Sequence, residues 1–156
     1  MRIRNYLFAL FMAYNLFADE TNYKIIIDKS ERKLYLQNME FSVGIGKPGY
    51  ETPTGDFEVI NKIKRPYFSP SPKTKWLNQK QRNYLYKYGS IPPDSPLNPL
   101  GDYWILISPK GLGIHDIDGD KGIGERSSHG CIRVKRKDMK IIFENTNSGD
   151  RVKIQE

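Results

Sequence analysis

What most narrows the fold open to this chain is a succession of short β-rich runs divided by turn residues. Tyr23-Lys24-Ile25-Ile26-Ile27-Asp28 and Arg32-Lys33-Leu34-Tyr35-Leu36-Gln37 flank the polar Lys29-Ser30-Glu31. The second run alternates, with Leu34 and Leu36 on one face and Lys33, Tyr35 and Gln37 on the other, the pattern of a half-buried strand. Glu40 to Ile45 alternates again, and Thr52-Pro53-Thr54-Gly55 makes a turn before Asp56 to Ile60. Tyr103 to Ser108 and Leu112 to His115, joined by Pro109-Lys110-Gly111, predict a second hairpin, and Arg151 to Ile154 a closing strand. Met139, Ile142 and Phe143 fall on one face of a short helix from Arg136 to Asn145, stopped by Asn147-Ser148-Gly149. The expectation is a mainly β domain with one or two helices laid against it, and the chain shows no internal repeat.

Residues 62–101 break this rhythm. They hold seven prolines and an aromatic cluster of Tyr67, Phe68, Trp76, Tyr84, Tyr86 and Tyr88. So long a connection is uncommon in a compact domain unless it serves a site, and a plain linker would not carry so many rings. A lid is expected, helical in part where Leu77, Gln81, Tyr84, Leu85 and Tyr88 fall near one face.

The first eighteen residues differ from the rest. Arg2 and Arg4 precede an apolar stretch from Tyr6 to Ala13, continued by Leu16-Phe17-Ala18. The stretch is too short for a membrane span, so the expectation is a signal peptide over residues 1–18, cut near Ala18-Asp19, with one domain from 19 to 156. Leu16 departs from the small residue such a cut prefers. Losing residues 1–18 removes two arginines and no acid, which lowers the formal charge from +7 to about +5. A modest positive surface suits polyanions outside the cell as well as nucleic acid, and export argues against nucleic acid.

One cysteine among 156 residues excludes an intramolecular disulfide, although an exported chain meets an oxidising compartment. Most lone cysteines are small buried hydrophobes, so its neighbours decide. Both histidines of the chain lie within sixteen residues of it: Gly113-Ile114-His115 precedes Ser128-His129-Gly130-Cys131-Ile132-Arg133. A free thiol ionises near pH 8.5, so a nucleophilic cysteine needs an imidazole to take its proton or to hold the thiolate as an ion pair. His115, at a strand end, is the expected base and Cys131 the expected nucleophile. Main-chain N–H groups at the Gly130-Cys131 turn are expected to receive an oxyanion.

The string Ser-His-Gly-Cys-Ile-Arg, with a Gly-Ile-His sixteen positions before the cysteine, resembles the catalytic signature of the L,D-transpeptidases. Lys24 to Gly46, Thr52 to Phe57, and Pro92 to Gly101 are similar to other segments of that family in the same order. The resemblance covers residues 23–154. It implies a β-sandwich of mixed sheets whose cysteine attacks peptidoglycan peptide stems. By position, Cys131 would form a thioester with the donor stem and release its terminal D-alanine, with His115 as base and the main-chain carbonyl of Asp116 orienting it. Ser128, His129 and Arg133 match motif positions expected to shape the site and bind substrate. An amine on a second stem or on a wall-anchored protein would resolve the thioester; water would give a carboxypeptidase or a hydrolase. No cofactor and no metal is implied, and a monomer is expected. Many members carry Gly where this chain has Asp116, a side chain expected to narrow the entrance or alter which acceptor fits.

Other readings fit less well. Asp116-Ile117-Asp118-Gly119-Asp120 starts like a calcium loop, but Lys121 and Ser127 stand where Gly and Glu are required. His115, His129 and Cys131 match no common zinc spacing. Gly44 to Gly49 spells a dinucleotide motif, yet Pro48 and Pro53 prevent the helix that motif must open. A wall-binding module that does no chemistry remains the alternative of another class, and it would have no use for a reactive thiol.

Overall fold

The computed structural model describes residues 22–156, so the expected leader lies outside the described residues. Ten strands and two helices follow in chain order: β1 (Ile25–Asp28), β2 (Lys33–Leu36), β3 (Met39–Gly46), β4 (Gly55–Glu58), β5 (Asn61–Lys64), α1 (Gln79–Tyr88), β6 (Tyr103–Leu106), β7 (Gly113–Ile117), β8 (Arg126–Ser128), β9 (Ile132–Lys135), α2 (Arg136–Glu144) and β10 (Arg151–Gln155). They join in the order β4-β10-β1-β2-β3-β9-β7-β6-β5, with β8 beside β3. The pairing is mixed: β1 with β10 and β7 with β9 are parallel, while the hairpins β1-β2, β2-β3 and β6-β7 are antiparallel.

This is the expected mainly β fold, made from one curled hydrogen-bonded sheet. Ile25, Ile27, Leu34 and Leu36 from its first half share a core with Ile105, Ile114, Ile132 and Val134 from its second. The period of two does this work, since residues of opposite parity on the same strands point out of the core. Helix α2 completes the core with Met139, Ile142 and Phe143, the predicted apolar face. Each of these buried side chains contributes about 1.5–3 kcal/mol relative to exposure.

The segment expected to be a lid is a small folded unit with its own core of Phe68, Leu77, Leu85 and Ile91. Asn78 caps α1 by accepting from the Gln81 N–H at 2.9 Å, and the Gln81 side chain returns the bond to the Asn78 N–H at 3.2 Å. Where no regular structure satisfies the main chain, side chains do. Arg82 donates to the carbonyls of Pro72 and Leu77, and the Asn98 amide donates to those of Pro66 and Pro92. Gln81 and Leu85 are buried as predicted, but Tyr88 is 57% exposed, because the helix ends there and its ring packs sideways on Tyr84.

Candidate active site

On β7 and β9 the core face carries Ile114, Ile132 and Val134, so the opposite parity carries His115 and Arg133 to the other side of the sheet. His115 and Arg133 are register partners across this parallel pair. Cys131 stands one residue before β9, on the same parity as Arg133. Trp104 of β6 is the antiparallel partner of His115, with ring centroids 5.8 Å apart. The sheet is the floor and the 66–100 segment the roof of a cleft of about 550 Å³. His115, His129, Cys131 and Arg133 line it together with Tyr67, Trp76 and Trp104, so the residues singled out around the thiol converge on one space.

Main-chain interactions hold this geometry. The Cys131 thiol points toward the Gly111 carbonyl at 3.8 Å. Burial pushes the thiol up from its ordinary pKa, and this outweighs the Gly113 N–H and the Arg133 charge, which favour the thiolate. His115 is almost fully buried, and its Nδ1 lies 2.9 Å from the Asp116 carbonyl. A carbonyl only accepts, so Nδ1 carries the proton and Nε2 is left with its lone pair. Burial pushes the imidazole down to about 4, although the Asp116 carbonyl and carboxylate oppose that shift. Burial thus works against the charged form of each group, favouring a neutral thiol and a neutral imidazole over an ion pair.

The Ser128–Cys131 turn is braced from within, and Ser128 also lines the cleft. Ser128 is 1% exposed, and its hydroxyl donates to the Cys131 carbonyl at 2.6 Å while accepting from the Gly130 N–H at 3.1 Å. It braces the turn and has no hydrogen left to offer a ligand. The Gly130 N–H, expected to meet an oxyanion, is the group Ser128 holds. Thr52, read from sequence only as part of a turn, is a second brace: its hydroxyl donates to the Gly130 carbonyl at 2.7 Å and accepts from the Gly46 N–H at 2.9 Å.

His129 and Arg133 face the cleft. The His129 ring stacks on Trp76 of the roof, and Tyr50 meets it edge-on at 4.9 Å. Arg133 is half-buried and donates from Nη1 to the Ser127 carbonyl at 3.4 Å. Among the described residues no carboxylate lies within ion-pair distance of it. The Asp116 carbonyl lies at His115 Nδ1, where the resemblance puts it, while its side chain has the parity of Ile114, is fully buried and does not stand in the entrance.

The curled mixed sheet with its roofed cleft defines the L,D-transpeptidase type of β domain. It is shared with a solved L,D-transpeptidase 3 from Mycobacterium tuberculosis carrying a faropenem-derived adduct, at a TM-score of 0.65 and 19% identity over 85% of this chain and 59% of that one. The Ldtfm-avibactam carbamoyl enzyme gives a TM-score of 0.65 at 25% identity, over 86% of this chain and 49% of that one. Residues 22–154 match the family described as YkuD, L,D-transpeptidase catalytic domain, and the chain belongs to that family. Among its relatives, the probable L,D-transpeptidase ErfK/SrfK of Escherichia coli K12 is 34% identical over 140 residues, 83% of this chain and 43% of that protein. The putative L,D-transpeptidase YkuD of Bacillus subtilis is 30% identical over 114 residues, 73% of this chain and 51% of that protein. The chain spans about half the length of these relatives.

Proposed function

We propose that this chain is an exported cysteine transpeptidase that acts on peptidoglycan peptide stems. The observation that carries the proposal is the placement of Cys131 and His115 on one face of neighbouring strands, lining a single roofed cleft. The cleft is lined by aromatic, apolar, hydroxyl and cationic groups and no carboxylate, which suits a peptide ending in a free carboxylate. The Arg133 guanidinium, which meets the Ser127 carbonyl but no carboxylate among the described residues, is the group to receive that carboxylate, with His129 shaping the wall beside it.

In the forward step His115 Nε2 takes the Cys131 proton as the sulfur bonds to the donor carbonyl carbon. The oxyanion falls to the main chain of the Gly130-Cys131 turn. With the Gly130 N–H engaged by Ser128, the Cys131 N–H is the turn's other donor. Collapse breaks the C–N bond, the imidazolium returns its proton to the departing D-alanine amine, and a thioester remains. An acceptor amine then attacks the thioester, delivers its proton to Nε2, and regenerates the thiol. With a second stem as acceptor the outcome is a cross-link; with a wall-anchored protein it is attachment; with water it is a carboxypeptidase or hydrolase product. A resting thiol guarded by a neutral imidazole suits an exported enzyme that must avoid oxidation until substrate excludes water.

Purified protein incubated with tetrapeptide muropeptides, with products identified by mass, tests this reading. Cross-linked or trimmed stems that depend on Cys131 are expected. Retention on peptidoglycan with every stem unchanged would instead make the chain a binding module.

A further inference from the structure

We infer that the Asp116 carboxylate is a positioning group for acyl transfer: by gripping the main chain at Asp102–Tyr103 and the Arg136 guanidinium, it fixes the carbonyl that orients His115. The inference rests on His115 being the base.

The case starts from an ionised side chain on the core face of a central strand, where burial costs several kcal/mol unless its lone pairs are filled. Here they are filled by three donors. Oδ1 accepts from the Tyr103 N–H at 2.8 Å, and Oδ2 from the Asp102 N–H at 3.0 Å and from Arg136 Nε at 3.0 Å. The Gly101 N–H donates to the Asp116 carbonyl, also at 3.0 Å. Three consecutive main-chain amides thus converge on one residue. The oxygen that holds Gly101 is the same oxygen that holds His115 Nδ1 at 2.9 Å.

The fit tolerates nothing larger than glycine at position 101, where a Cβ would stand 2.0 Å from Asp116 Oδ2. Arg136 begins α2 and also pairs with Asp102 at 3.2 Å and Asp118 at 2.6 Å, so the clamp is anchored to the helix that closes the core. Gly101 follows directly on the 66–100 roof. One buried carboxylate therefore fixes both the exit of the roof and the backbone that aims the base. An ordinary salt bridge for stability would need neither the shared carbonyl nor the absent Cβ.

The titratable and charged groups around His115 are Cys131 and Arg133 from the neighbouring strand, Asp116 on its own strand, and Lys110 and His129 at the cleft wall. Asp116 is the anion among them, so it favours the imidazolium that forms when the thiol gives up its proton. An asparagine at 116 keeps the size but turns an NH2 toward N–H donors and removes the charge.

The test is the pH profile of Cys131 alkylation by iodoacetamide, together with single-turnover acylation by a tetrapeptide donor, in Asp116→Asn and Gly101→Ala. Ile142→Val, which loosens the core side of α2 and removes none of the clamp's hydrogen bonds, is the control. Asp116→Asn is expected to slow acylation at pH 7 about tenfold or more with the donor KM unchanged, and, since it removes an anion beside a neutral imidazole, not to move the alkylation profile to higher pH. Gly101→Ala, which removes no charge, should slow acylation in the same direction, whereas Ile142→Val should lower only the melting temperature. If Asp116→Asn does not fold, Gly101→Ala and Arg136→Gln are read instead; both should slow acylation at unchanged KM. Wild-type acylation rates in the folded variants overturn the inference. His115→Ala in the same assay separates the two readings: if it is inactive while Asp116→Asn is normal, only the positioning role fails, and if His115→Ala is itself active, the base assignment fails.

Discussion

The Trp76 indole and the His129 imidazole lie nearly parallel, 12° apart in plane with ring centroids 4.6 Å apart. One ring belongs to the roof and the other sits two residues before Cys131, so this stack is a direct mechanical link between the lid and the reactive loop. Tyr50 closes the other side of His129 edge-on. Burial, with the positive charges of Lys47 and Arg133, pushes the His129 imidazole below its ordinary pKa. The roof has its own small core, and this contact ties it to the reactive loop.

Trp76→Ala should therefore loosen the roof more than the domain. An aromatic pair is worth about 0.5–1.5 kcal/mol beyond its buried area, which converts to a two- to tenfold rise in donor KM. Limited proteolysis should show faster cleavage within residues 66–100 while the sheet core stays intact. Unchanged KM and unchanged cleavage would mean that the stack holds nothing.

Acylation should persist in acid well below the ordinary histidine range. With the His115 imidazole held down to about 4, the base stays deprotonated as pH falls through 6, and the rate should decline only as pH nears 4. Folding stability has its own signature. The unfolded chain binds a proton near pH 6.5 that the folded chain refuses until about 4, so the contribution of His115 is complete above 6.5 and is lost as pH falls toward 4. It is bounded by about 3 kcal/mol. Urea titrations at several pH values should show a shallower acid slope in His115→Gln than in wild type.

Gly113 lies under the Trp104 indole, where an added Cβ would sit 2.5 Å from Cζ2 and 2.7 Å from the Ile105 carbonyl. The ring has room to tilt, but the carbonyl belongs to a paired strand and does not. Gly113→Ala should cost about 1–3 kcal/mol of stability by overpacking. It should also displace the Trp104 ring from beside His115, visible as a change in tryptophan fluorescence.

Much of this was legible in the sequence because it depends on local pattern. The parity of Leu34 and Leu36, the face of Met139, Ile142 and Phe143, and the turn at Pro109-Lys110-Gly111 each fix an element without help from the rest of the chain. The strands Asn61–Lys64, Arg126–Ser128 and Ile132–Lys135 were not read. The first two are short and mostly polar, and they are strands only because a partner strand offers its edge; the third was hidden by the motif that runs into it. The grouping of His115, His129, Cys131 and Arg133 about one cleft could be anticipated from spacing and residue type. The direction of Asp116 could not, since it depends on a strand parity counted from a core face that only the fold defines. Thr52 and Ser128 each act through two hydrogen bonds to a distant or folded-back main chain, which leave no periodic trace in the sequence.

Intact-mass measurement of the protein during reaction with a tetrapeptide stem reads the covalent step itself. Wild type should carry a transient adduct equal to the stem less its terminal D-alanine, mapped to Cys131, and Cys131→Ala should keep its fold but show neither adduct nor product. Turnover by Cys131→Ala, or an adduct mapped to any other residue, would contradict the account.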